Sequence, residues 1–111
     1  MSNLTNSNIK EKITIEIYQQ DWISGFAAFR DDKSLEVTGK AHVVLNLGAF
    51  LATVATGDIP AKELPYFIAE SIMHEVIHIL ESWTKVEFNE ERVDALIEKY
   101  SEAAQKLREN D

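Results

Sequence analysis

Two of the three histidines in this 111-residue chain, His74 and His78, stand four positions apart with Glu75 between them, in the order His74-Glu75-Val76-Ile77-His78. On a helix, residues one turn apart share a face, so two imidazoles at this spacing can reach a single ion. Glu75 falls roughly 100° around the helix from His74. From there its carboxylate reaches a water on the ion without itself being a ligand, which is the placement a water-activating base requires. The H-E-x-x-H pattern therefore points to metal-assisted hydrolysis, with His74 and His78 as ligands and Glu75 as catalytic base. The chain contains no cysteine, so only nitrogen and oxygen ligands are available, and Zn2+ is the expected ion.

A catalytic zinc site normally takes three protein ligands and keeps one position open for water. The extended pattern H-E-x-x-H-x-x-G-x-x-H would need glycine and histidine where this chain has Glu81 and Thr84, so that class is excluded. Glu81, Glu87, Glu90, Glu91 and His42 remain. On the last helical segment Glu90, Val93, Asp94 and Ile97 recur at i, i+3, i+4 and i+7 and share the inward side. Glu91 groups instead with Glu98 and Glu102 on a solvated face. An acidic pair on the core side is costly unless a cation or hydrogen bonds satisfy it. Glu90 is therefore the expected third ligand, and Asp94, one turn deeper, the expected acceptor for the free N–H of a ligand histidine. Three ligands from one straight helix converge poorly on a tetrahedral ion, so Glu81 is read as a charge at the rim.

His74-Glu75-x-x-His78 followed by Asn89-Glu90-x-x-x-Asp94 resembles the gluzincin arrangement of thermolysin-like zinc peptidases, over about residues 41–100. The resemblance implies a zincin-like fold, a peptide or protein substrate, His74, His78 and Glu90 as zinc ligands, Glu75 as base and Asp94 as support. His42–Leu47 looks like the strand against which those enzymes lay extended substrates, a form of β-augmentation. Only eleven residues separate His78 from Glu90. In size the chain looks like the minimal members of the group, including small phage and mobile-element regulatory peptidases. It lacks the second domain that supplies an oxyanion-stabilising His or Tyr in larger relatives, so Tyr100 and His42 are nominated for that role. The competing expectation is a non-catalytic regulatory or interaction module that keeps a zincin-like site for stability or partner binding.

The elements that must position these groups are legible in outline. Residues 1–10 are polar and read as a flexible N-terminus, leaving 11–111 as one domain. Ile13-Thr14-Ile15-Glu16-Ile17 alternates as a half-buried strand does. After Asp21 and Gly25, Phe26–Phe29 reads as a second strand, Asp31–Ser34 as a turn and Leu35-Glu36-Val37 as a short strand. His42–Leu47, rich in β-branched residues, is a further strand. Ala49–Ala55 reads as a short helix. Asp58 and Pro60 look like a helix start, although Pro65 moves the start of the long helix towards Leu64. That helix should reach Trp83 with Ile72, Val76, Ile79, Leu80 and Trp83 inward. Asn89 then caps a last helix reaching about Leu107, with Val93, Leu96, Ile97, Tyr100, Ala104 and Leu107 on its core face. Trp22 and Trp83 read as packing residues. Strands first and helices second predict an α+β domain: a small antiparallel or mixed sheet packed on the long helix and the C-terminal helix.

The net charge of −8 disfavours nucleic acid and anionic membranes as partners, since both present dense negative charge. The first residues lack the apolar run of a secretory signal, and no stretch approaches a membrane span of ~20 apolar residues. A cytoplasmic location is the resulting expectation.

Overall fold

Ala41, Val43 and Leu45 alternate along one strand and are buried together with Ile79 of the long helix, and this cluster organises the fold. The computed structural model describes residues 12–20 and 26–109. The readings for residues 1–10, Asp21, Trp22 and Gly25 lie outside those residues.

The architecture is α+β, with a three-stranded mixed sheet in the order β1-β3-β2. Strand β1 (Thr14–Gln20) runs parallel to β3 (Lys40–Asn46), with Ile15 opposite Ala41 and Ile17 opposite Val43. Strand β2 (Ala28–Asp31) runs antiparallel on the other side, with Ala28 opposite Leu45 and Arg30 opposite Val43. Being central, β3 is paired along both edges, and Ala41, Val43, Val44, Leu45 and Asn46 are all buried. A central strand has no free backbone edge, so β3 cannot receive an added peptide strand, contrary to the expectation for His42–Leu47. Among the described residues β1 and β2 are the outer strands.

Leu35-Glu36-Val37 is not a strand. It forms the helical turn α1 (Leu35–Thr38), in which Leu35 is buried and Val37 fully exposed. A strand would project both side chains to one face. The turn needs only one of them in the core, and Thr38 N–H donates to Ser34 O at 2.8 Å. Gly39 closes it in the left-handed region (φ 72°), and its N–H donates to Leu35 O. Helix α2 (Leu47–Ala55) starts two residues earlier than the expected Ala49, because Asn46 ends β3 and its side chain accepts from Ala49 N–H as a cap.

A single 3-10 turn (Ala61–Glu63), rather than a helix start at Asp58, leads into helix α3 (Leu64–Trp83), with Pro65 tolerated in the first turn. Ile72, Val76, Ile79 and Trp83 pack on the core as their spacing predicts, whereas Leu80 is exposed. The helix ends in a left-handed cap at Lys85 (φ 62°). Val86 N–H reaches back to Glu81 O at 2.9 Å and Lys85 N–H to Ser82 O at 3.3 Å, the bonding pattern of a Schellman motif. The chain reverses into helix α4 (Glu90–Glu109), where the Asn89 side chain accepts from Arg92 N–H at 3.0 Å. Val93 is buried on α4, but Leu96 and Leu107 point into solvent. The helix meets α3 along a narrower stripe than its apolar residues suggest.

A Cβ on Gly39 would lie 2.7 Å from Lys12 O in a backbone conformation that L side chains rarely adopt. Gly39→Ala should lower the unfolding free energy by about 1–3 kcal/mol. Urea titration checks this, and an unchanged midpoint would remove the constraint.

Candidate metal centre

His74 and His78 project from successive turns of α3 with ring centroids 4.9 Å apart. His78 is buried, at 1% exposure, while His74 opens to solvent. The first residue of α4 brings a carboxylate back onto them. Glu90 Oε1 lies 3.0 Å from His78 Nε2 and 3.5 Å from His74 Nε2. The three ligand atoms all fall within 4.8 Å of one another. Ligands at ~2.0–2.1 Å from a tetrahedral ion are separated by about 3.3 Å, so two of these spacings already match a shared ion. His74, His78 and Glu90 could thus hold a metal ion, as their types and spacing predict.

The surroundings of His78 fit a cation as well. Its Nδ1 stands 2.7 Å from Glu81 Oε1, while Nε2 faces Glu90. A neutral imidazole has one N–H and can serve only one of two carboxylates. With that proton directed to Glu81, Nε2 presents its lone pair beside Glu90, which is the donor set a divalent ion takes.

Glu81 is therefore no rim charge. It is 5% exposed, and its second oxygen accepts from Arg92 Nη2 at 2.5 Å and Nε at 3.2 Å. Arg92 also donates to Glu87 O at 2.7 Å, fixing the turn between the helices. Burial raises the Glu81 pKa, but the hydrogen bonds from Arg92 and His78 and the positive charge of Arg92 outweigh it and hold the carboxyl below its ordinary value. Glu81 thus makes the contact to His78 that the sequence leads one to expect of Asp94. Asp94 itself is exposed and makes no hydrogen bond or ion pair among the described residues, because the contact stripe of α4 passes through Val93 and leaves Asp94 on its solvent flank.

Glu75 faces the sheet and forms an ion pair with Arg30 of β2 at 2.9 Å. The Arg30 guanidinium also lies 5.1 Å from the centroid of Phe88, whose ring in turn packs against His78. Neither residue nominated to stabilise an oxyanion is near. His42 projects to the other face of the sheet, 3.1 Å from Glu16 Oε1 and against the Tyr18 ring. Tyr100 lines a separate recess with Tyr66, Leu107 and Arg108. Arg30 is the cation beside Glu75, and sequence reading missed it because one arginine on a four-residue strand carries no periodic signal. Glu81 had a signal, its i+3 position after a ligand histidine, which was weighed only for direct ligation.

Two recesses share His74 and Glu75 on one wall and Phe26 and Ala28 on the other. The larger, about 570 Å3, adds Arg30, Asp32 and Glu90; the smaller, about 330 Å3, adds Phe67, Glu70 and Ile97. Together they form a cleft between β2 and helix α3. Among the described residues no helix is long and apolar enough to cross a membrane. The chain matches no family model, no curated protein and no solved structure.

Glu81→Gln should weaken metal binding about 10–100-fold, as loss of an orienting carboxylate does, measured by competition with a chromophoric chelator. Because the folded-state pKa of Glu81 is depressed, its stabilising contribution is complete above the unfolded value near 4.5 and is lost as pH falls through the lower folded value. The stability gap between wild type and Glu81→Gln in chemical denaturation should therefore narrow from pH 7 to pH 3. A constant gap would assign Glu81 a packing role alone.

Proposed function

We propose that this protein is a zinc-dependent peptide hydrolase with a zincin-like active site. The observation that carries this reading is the joint placement of His74, His78 and Glu90 around one point, with Glu75 on the wall of the adjoining cleft. Zinc, when bound there, supplies the positive charge that acidifies a water and polarises a peptide carbonyl.

The chain's own residues perform the remaining tasks. The cleft between β2 and helix α3 receives the peptide in an extended form, with His74 and Glu75 along one wall. Glu75 accepts a proton from the attacking water and returns it to the amine nitrogen as the C–N bond breaks. Arg30, on the same wall, has guanidinium donors to offer the carbonyl oxygen as negative charge develops on it. Glu81 and Arg92 hold the His78 ring in one orientation throughout.

One observation favours the second reading, a non-catalytic zinc-binding module. The Arg30–Glu75 ion pair occupies the base. Two variants separate the readings. Glu75→Gln should retain about one zinc per chain while peptide hydrolysis falls about 100–10,000-fold. Arg30→Ala should lower kcat about 100-fold with little change in zinc content. Elemental analysis and cleavage of a quenched peptide library check both. Zinc binding with no cleavage of any library member would support the module, and increased turnover in Arg30→Ala would recast Arg30 as a clamp on the base.

A further inference from the structure

The smaller recess of the cleft has a composition that the hydrolytic chemistry does not require. Its walls are apolar over Phe26, Ala27, Ala28, Phe67 and Ile97, and beyond the His74 and Glu75 that it shares with the larger recess it carries a second carboxylate, that of Glu70. Glu70 stands one helical turn before His74, so both side chains lie on the same face of α3. One Glu70 oxygen accepts a hydrogen bond from Ser101 of α4, which fixes the carboxylate against the recess. The other oxygen has no partner among the described residues. The neighbouring hydroxyl of Ser71 is occupied, donating back to Phe67 O at 2.9 Å. No lysine or arginine lines this recess, in contrast to the larger one, where Arg30 faces Glu75.

We propose that this recess binds the side chain of a lysine or arginine in a peptide, with Glu70 as its charge partner. The inference rests on the cleft being the peptide-binding cleft. Lysine and arginine side chains have an apolar stem and a cationic head, so the stem matches the aromatic and aliphatic walls while the head reaches the open oxygen of Glu70. A leucine or phenylalanine side chain would fill the walls equally well but would strip water from that oxygen and return no hydrogen bond. An acidic side chain would meet like charge there and on the molecule as a whole, whose net charge of −8 steers basic ligands inward. Substrates or binding partners are therefore basic at one position beside the scissile bond.

The test uses zinc-loaded Glu75→Gln protein, so that peptides bind without being cut. Fluorescence anisotropy is read with peptides that differ only in carrying Lys, Arg, Leu or Glu at one scanned position. The Lys and Arg peptides should bind about tenfold or more tighter than the Leu peptide at one register, a difference equivalent to about 1.4 kcal/mol. Adding Glu70→Gln should reduce that preference below threefold, and Glu70→Lys should turn it towards Glu. Equal or tighter binding of the Leu peptide in the Glu70 protein overturns the proposal even if the Glu70 variants fail to fold. A preference that survives Glu70→Gln also overturns it. A second arm needs neither metal nor peptide: arginine amide and leucine amide are titrated into chelator-treated protein while the Glu70 and Ser101 amide resonances are followed. If no peptide binds but arginine amide alone shifts those resonances, the recess is supported and the peptide-cleft reading fails. If neither arm responds, both fail.

Discussion

A buried imidazole held between two carboxylates sets the terms for most of this molecule. Taking His78 out of water would be costly if either ring nitrogen were left without a partner, and two flanking carboxylates would be costly if their charge went unanswered. The fold resolves this with Arg92, whose guanidinium reaches Glu81 from the first turn of the following helix. The same turn delivers Glu90 to the other side of the ring. The angle at which α4 leaves α3 is thus fixed by polar contacts at its start, with Val93 as the nearby buried apolar anchor. Further along, α4 carries more exposed apolar surface than a helix packed by hydrophobic contact alone would show.

The sheet serves the centre from a distance. Its central strand supplies apolar bulk against α3, and its short edge strand supplies chemistry. Arg30 leans across to Glu75, and Phe88 wedges between Arg30 and His78. The aromatic ring connects the cleft wall to the helix that carries both histidines, so a change in the loop before α4 reaches both Arg30 and His78.

Much of this was legible in the sequence, and the parts that were not have physical reasons. The long helix, its two histidines and the returning Glu90 follow from helical period and capping, which are local properties. The strand over Lys40–Asn46 follows from its apolar, β-branched run. The segment Leu35–Thr38 misled because two apolar residues at i and i+2 also suit a helical turn that buries one of them. Asp94 misled because helical phase gives the side of a helix but not the width of its contact stripe. Glu81 was undervalued because the test applied to it was ligation, whereas its role depends on Arg92, a partner eleven positions away. Arg30, at a sequence distance of 45 from Glu75, could be found only in three dimensions.

That difference in sequence distance has a consequence for how the protein is put together. His78 and Glu90 are 12 positions apart, whereas Arg30 and Glu75 are 45 apart. Loop closure costs about 0.6 kcal/mol more per doubling, so the longer link is more expensive by about 1.2 kcal/mol before any contact offsets it. The helical hairpin can therefore assemble from neighbours along the chain, while the wall opposite it must wait for the sheet to dock. The His74–His78–Glu90 group and the Arg30–Glu75 wall are accordingly separately encoded pieces, and a substitution in the second can leave the first intact.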